Sequence, residues 1–254
     1  MLVKIKYWIP VFQEERMIRV YLPHEYAHTD RSYPVLYMHD GQNVFEDQDV
    51  VGGSSLRLLN YLEQKKFQLI VVAIDSGAKR MEEYCLWRHG QLSEELTGKS
   101  EIVKAKGREY IAYIVKDLKP AIDATYRTLR NTNYMAGISL GGLLTTYALC
   151  HYPTVFSKGA CISSAFFRNQ EELEGFILES ELTDRSCFYL DCGDKESGDE
   201  RIDKAFLNSN DRIYQLLEEK ASCVQFHLIK DGEHNYKSFR TRTDDLMSFF
   251  MNER

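Results

Sequence analysis

The hydrophobic and polar positions of this chain change period along its length, and each change marks an element. Residues 17–22 alternate apolar and polar side chains, the period of a strand with one buried face. Residues 3–9 alternate in the same way, and Gln13-Glu14-Glu15 between them suits a turn, so the two read as an antiparallel hairpin at a sheet edge. Unbroken apolar runs at 35–38 and 69–74 read instead as strands buried on both faces, as parallel sheets require. A helix carrying Leu56, Leu59 and Leu62 is expected behind a cap at Ser54 or Ser55. A second helical period runs through Tyr110, Ile111, Ile114, Val115 and Leu118 until Pro120, which should break or kink it. Strands at 158–164, 187–193 and 223–229 then alternate with helices at 170–179, 201–220 and a C-terminal one holding Leu246, Phe249 and Phe250. This alternation predicts an α/β fold: a mostly parallel central sheet, helices on both faces and an antiparallel N-terminal edge. No repeat or low-complexity linker interrupts it, so residues 1–254 are expected to form one domain. Only 76–106 loses regular patterning. An irregular insertion of that length is expected to wall or rim a cleft, with Trp87 either a substrate contact or a packing residue.

Between the helical period at 107–126 and the strand at 158–164 lies Tyr134-Met135-Ala136-Gly137-Ile138-Ser139-Leu140-Gly141-Gly142, a short strand, a Gly-x-Ser-x-Gly turn and the start of a helix. A serine on so sharp a strand-to-helix turn is held with its Oγ raised above the sheet, and glycines flank it because the turn has no room for a Cβ. The N-terminus of the following helix places positive potential under any oxyanion formed there. In this layout the N–H of Leu140 is one expected oxyanion donor. The other comes from the loop after residues 35–38, at Gly41 or Gln42. His39, at the end of that strand, is a candidate contact to the same loop and to substrate.

Composition narrows the partners. A net charge of −6 with no basic block speaks against nucleic acid, and no apolar run approaches the roughly 20 residues of a membrane span. The N-terminus lacks the apolar block of a signal peptide, so the expected location is cytoplasmic. The six cysteines are scattered singly with no Cys-x-x-Cys pair and are expected to be reduced and structural. His24-Glu25-Tyr26-Ala27-His28 matches a zinc-protease pattern. It follows Pro23, precedes a polar loop and has no helical period, so a solvated loop is expected, with no metal and no cofactor.

Seven histidines occur, and only His234 sits in a loop after the last strand and before the last helix. With an acid from the loop 194–200, the chain order is Ser139, acid, His234, the order of α/β-hydrolases. A serine hydroxyl is a weak nucleophile until an imidazole takes its proton, and the imidazole needs an acid to fix its tautomer and balance its charge. Asp194, Glu196 and Asp199 are all within that loop. Asp191 still belongs to the strand, and Asp199 suits a helix cap.

Several motifs together resemble a known family. Tyr37-Met38-His39-Asp40-Gly41-Gln42-Asn43-Val44-Phe45, Leu118-Lys119-Pro120-Ala121-Ile122-Asp123 with Tyr126-Arg127-Thr128, Gly137-Ile138-Ser139-Leu140-Gly141-Gly142 and Tyr152-Pro153-x-x-Phe156 carry the likeness. So do Tyr189-Leu190-Asp191-Cys192-Gly193-x-x-Glu196 and Gly232-x-His234. They resemble the "putative esterase" (esterase D-like) α/β-hydrolases, a group with feruloyl and acetyl esterases, S-formylglutathione hydrolase, siderophore esterases and mycolyltransferases. The resemblance implies an α/β-hydrolase fold and a serine carboxylesterase with Ser139 as nucleophile, His234 as base and Glu196 as acid, where many relatives carry aspartate. The acidic chain and the absence of a long helical lid favour a small soluble acyl ester over a long-chain lipid as substrate. An acyltransferase using the same three residues, or a binding module retaining the fold, is the alternative, and the oligomeric state stays open.

Overall fold

The computed structural model describes residues 1–50, 53–100 and 102–252. The remaining positions of the expected domain 1–254, including 101 within the expected insertion, lie outside the described residues. The strands are β1 (Leu2–Ile9), β2 (Glu14–Tyr21), β3 (Tyr33–His39), β4 (Ile70–Ile74), β5 (Thr128–Ile138), β6 (Phe156–Ile162), β7 (Cys187–Gly193) and β8 (Cys223–Ile229). They form one sheet in the order β1-β2-β4-β3-β5-β6-β7-β8. The β1–β2 hairpin is antiparallel and joins β4 antiparallel, while every pairing from β4 to β8 is parallel. This is the α/β-hydrolase arrangement, with the expected antiparallel edge.

Successive side chains of a strand point to opposite faces, so an all-apolar strand feeds two cores. In β3, Val35 and Tyr37 enter one core and Leu36 and Met38 the other. The second core is closed by α1 (Leu58–Lys65) and, at the end of the chain, by α9 (Tyr236–Arg240) and α10 (Thr243–Met251). On the first face lie α2 (Arg80–Tyr84), α4 (Gly107–Tyr113), α5 (Lys119–Thr125), α6 (Leu140–His151), α7 (Gln170–Glu179) and α8 (Glu200–Glu218). Residues 76–106 are thus not irregular throughout: besides α2 they hold α3 (Gln91–Thr97). These helices have too few turns for an apolar period to register. The cap of α1 also differs from expectation. Arg57, in the left-handed region at φ 52°, precedes the helix, while the Ser55 hydroxyl accepts from the Arg57 N–H at 3.0 Å.

Pro120 does not end its helix. Proline lacks an N–H and its ring crowds the carbonyl four residues earlier, here Lys116, and a π turn at Ile114–Leu118 widens the helix so that α4 passes into α5. Helix α6 lies deepest: every residue except His151 is buried. An apolar helix without a polar face is the expected form for one packed on all sides.

The cysteine expectation needs correction. Cys187 and Cys223 are joined as a disulfide across β7 and β8, where they are directly paired in register with Cα atoms 4.7 Å apart. Only strand pairing brings together residues 36 apart in sequence, which spacing alone does not reveal. Cys85, Cys150, Cys161 and Cys192 are buried and take no part in that disulfide. Among the described residues, no helix is long and apolar enough to cross a membrane.

Candidate active site

The loops that follow β3, β5, β7 and β8 all leave the sheet at the strands' carboxyl ends, the edge where open α/β sheets bind ligands. They carry Asp40-Gly41-Gln42, Ser139, Glu196 and His234 respectively.

Ser139 stands between the last residue of β5 and the first of α6 with φ 60° and ψ −120°. That conformation costs a non-glycine residue on the order of 1–3 kcal/mol and persists only where neighbours enforce it. They do so here. The Ser139 N–H donates to the Ile162 carbonyl at 3.0 Å, and the Ser139 carbonyl accepts from the Gly142 and Ala165 N–H groups, each at 3.0 Å. A Cβ on Gly137 would overlap the Gly141 backbone, and one on Gly142 would overlap the Ser164 hydroxyl, so the elbow closes only with glycine at both. Leu140 opens α6, and as first residue of the helix its N–H has no carbonyl four residues back to bond.

Glu196 and His234 meet because the loops after β7 and β8 are stapled together. Asp194 N–H donates to the Ile229 carbonyl at 3.2 Å, Lys195 N–H to Gly232 at 3.1 Å, and His234 N–H to Glu196 at 3.3 Å. Gly193 packs directly on the Gly232 backbone, leaving no space for a Cβ. The result is a 2.6 Å hydrogen bond between His234 Nδ1 and Glu196 Oε2. Phe206 and Phe239 stand edge-on to the imidazole, with ring centroids 5.5 and 5.2 Å away. The other carboxylate oxygen, Oε1, accepts from Ser163 Oγ at 2.5 Å and from the Gly193 N–H at 2.6 Å. Burial alone would push the Glu196 carboxyl up. The donors from His234, Ser163 and Gly193 outweigh that and hold it below the usual glutamate value, so it is ionised at neutral pH.

Two of the neighbouring acids have other partners. Asp199 caps α8, accepting from the Arg201 and Ile202 N–H groups at 3.0 and 3.2 Å. Asp191 is fully buried and accepts from Arg242 Nη1 at 2.7 Å and from Tyr189 at 3.1 Å. No contact ties Asp194 to His234 among the described hydrogen bonds.

The loop after β3 turns at Asp40, which takes φ 55° before the short 3-10 turn Gly41–Asn43. Arg80 clamps it: Nε and Nη2 donate to the two Asp40 carboxylate oxygens at 2.6 and 2.7 Å, and Nη2 also reaches the Ile138 carbonyl at 3.2 Å. One guanidinium therefore ties the Gly41-Gln42 loop to the strand end that carries Ser139. The Gln42 side chain is spent on Ser76, donating to its hydroxyl at 2.8 Å and accepting from its N–H at 3.0 Å, so only backbone N–H groups of this loop remain for chemistry. Nothing in the local pattern of 76–106 singles out Arg80, because its partners lie 40 and 58 residues away.

Ser139, Leu140, Glu196 and His234 line one cleft of about 320 Å³, walled by Met81, Ala165, Phe167, Ile202 and Phe206 with Arg80 and Arg168 at its sides. A larger cavity of about 540 Å³ lies at the opposite ends of the strands, lined by Pro34, Thr132, Ser157 and Cys187. It holds none of these groups, so volume is a poor guide to the chemistry here. Two expected substrate contacts are not brought into the cleft. His39 is 4% exposed, packed against Tyr84 and Tyr110, with neither ring nitrogen hydrogen-bonded. Trp87 packs edge-on to Tyr147 and Phe176, with the Arg108 guanidinium over its ring. Both are aromatic side chains that packing claims first. Residues 24–28, expected as a loop, form a 3-10 turn (His24–Ala27) after Pro23.

The family described as "Putative esterase" matches residues 9–247. Protein YbbA of Bacillus subtilis, itself uncharacterized, is 25% identical over 232 residues, covering 88% of each chain. An endo-1,4-β-xylanase/feruloyl esterase of Xylanibacter ruminicola is 23% identical over 201 residues, 76% of this chain and 25% of that protein. Among solved structures, an IroE-like serine hydrolase of Shewanella oneidensis superposes with a TM-score of 0.78 over 98% of this chain and 80% of its own, at 19% identity. With a match across residues 9–247, on an α/β-hydrolase fold whose strand ends gather these loops, the chain belongs to the "Putative esterase" family and is a carboxylic ester hydrolase.

Proposed function

We propose that the chain works as one domain and as a serine carboxylesterase on small soluble esters, through an acyl-enzyme. The observation that carries this reading is the 2.6 Å Glu196–His234 bond in the cleft that Ser139 lines. With Nδ1 donating to a carboxylate, the imidazole presents the lone pair of Nε2 for the Ser139 proton. Ser139 Oγ then bonds to the ester carbonyl carbon, its proton passes to Nε2, and the carbonyl oxygen takes the negative charge. Backbone N–H groups of Leu140 and of Gly41 or Gln42 stabilise that oxyanion. As the tetrahedral intermediate collapses, His234 delivers the proton to the leaving alcohol and the acyl–serine ester remains. A water, deprotonated by the same Nε2, attacks it and frees the acid and Ser139.

The walls of the cleft, Met81, Phe167, Ile202 and Phe206, suit an apolar or aryl group, and its volume suits a short one. The feruloyl esterase named among the relatives makes aryl esters a reasonable class to include in a screen. The test is turnover on short-chain, aryl and thioester substrates by wild type and Ser139→Ala. Hydrolysis of a short acyl or aryl ester that disappears in the variant supports the reading. Equal turnover by both proteins overturns it.

A further inference from the structure

Behind Glu196, and away from the cleft, lies a second set of buried polar groups that the reaction itself does not use. Ser163 follows β6, is 0% exposed, and takes φ 41°, a left-handed conformation in a non-glycine residue. Its backbone N–H donates to the Asp191 carbonyl at 2.9 Å and to Asp191 Oδ1 at 3.2 Å. Its hydroxyl lies 2.6 Å from Arg242 Nη1 and 2.5 Å from Glu196 Oε1. Arg242 is 2% exposed, and its Nη1 also donates to Asp191 Oδ1 at 2.7 Å.

Counting protons fixes the direction of this chain. A guanidinium nitrogen can only donate, so Ser163 Oγ must accept from Arg242. The hydroxyl has one proton of its own, and the remaining close partner is an ionised carboxylate, which can only accept. That proton therefore points at Glu196 Oε1. With the Gly193 N–H on the same oxygen, Oε1 holds two close donors and, at 3.9 Å, the Cys192 thiol, and Oε2 faces His234. The carboxylate cannot swing without breaking both bonds on Oε1. An acceptor kept in place at Oε2 in turn keeps the imidazole proton on Nδ1.

We propose that Ser163 is a positioning residue for ester hydrolysis, its hydroxyl oriented by the buried Arg242–Asp191 pair so that it holds Glu196 ionised and aimed at His234. This rests on the Ser139–His234–Glu196 reading above. It adds a residue that touches no substrate, and a reason for a buried ion pair beside a catalytic loop.

Ser163→Gly tests it, because glycine adopts this backbone conformation without a Cβ penalty while losing the hydroxyl. The protein should stay folded at assay temperature, because relief of the left-handed strain offsets part of the lost hydrogen bonding. Turnover should still fall about 10- to 100-fold, the range for losing one hydrogen bond to a charged group, with KM within about twofold. In proton NMR, the downfield His234 Nδ1 resonance should weaken or shift. Turnover within about twofold of wild type with that resonance unmoved overturns the proposal, and so does a loss of turnover that only tracks lost folded protein. Ser139→Ala and His234→Ala are measured alongside. If they retain activity, the triad reading itself fails; if they lose it while Ser163→Gly does not, only the positioning role fails.

Discussion

Glu196 Oε2 lies 2.6 Å from His234 Nδ1, although the two residues leave the sheet from different strands, 38 positions apart. Their contact depends on the Gly193–Gly232 approach and on three backbone hydrogen bonds between the loops. A carboxylate on the loop after β7 and an imidazole on the loop after β8 are thus held as one unit.

Glu196→Gln should therefore keep the fold and lower kcat by roughly 10²- to 10⁴-fold. An amide nitrogen would face either the His234 Nδ1–H or the Ser163 and Gly193 donors, and a neutral group cannot balance the imidazolium. Asp194→Asn and Asp199→Asn should cost about tenfold or less, since Asp199 serves α8 and Asp194 makes no contact with His234 among the described hydrogen bonds. Steady-state kinetics on the three variants check this. A large loss in Asp194→Asn or Asp199→Asn without one in Glu196→Gln would show the acid to be misassigned.

Arg80→Lys should lower kcat by about 10- to 100-fold with a smaller change in KM, because an ammonium cannot hold both Asp40 oxygens and the Ile138 carbonyl at once. The loop bearing Gly41 and Gln42 would then lose its tie to the end of β5. Comparing kcat and KM with thermal midpoints separates this from general destabilisation, and an unchanged kcat would remove the clamp from the account.

Stability should respond to acid through His39. Burial depresses its pKa to about 4, against an ordinary value of 6.5. The folded protein thus binds fewer protons at this site than the unfolded chain. The stability tied to neutral His39 is complete above about pH 6.5 and is lost as pH falls through about 4, and it amounts to at most about 3 kcal/mol. His39→Phe, which replaces a ring without hydrogen bonds by an apolar one, should flatten urea midpoints across that window. If the variant and wild type lose stability in parallel between those values, His39 is not the group responsible.

The fold was largely legible in the sequence because strands buried on both faces leave unbroken apolar runs, as at 35–38 and 69–74. The elbow was legible because Gly137 answers a local steric demand, whereas Gly141, expected to share it, would bring a Cβ only to 3.3 Å from His39, and the second strict position is Gly142. What sequence reading missed depends on partners far apart in the chain. Arg80 acts on Asp40, Ser163 answers Arg242 79 positions away, and Cys187 meets Cys223 through strand register. His39 was drawn toward the cleft by its loop position, whereas packing against Tyr84 and Tyr110 places it elsewhere, and of the two roles open to Trp87 the packing one is what its contacts with Tyr147 and Phe176 show.

The central claim is that Ser139 is the nucleophile, activated by His234, and covalent labelling tests it most directly. A fluorophosphonate should add once to the wild-type protein, and peptide mass mapping should place the adduct on Ser139. Ser139→Ala should take no label, and His234→Ala should label more slowly by about 10²-fold or more. An adduct on another residue, or full labelling of Ser139→Ala, would contradict the account.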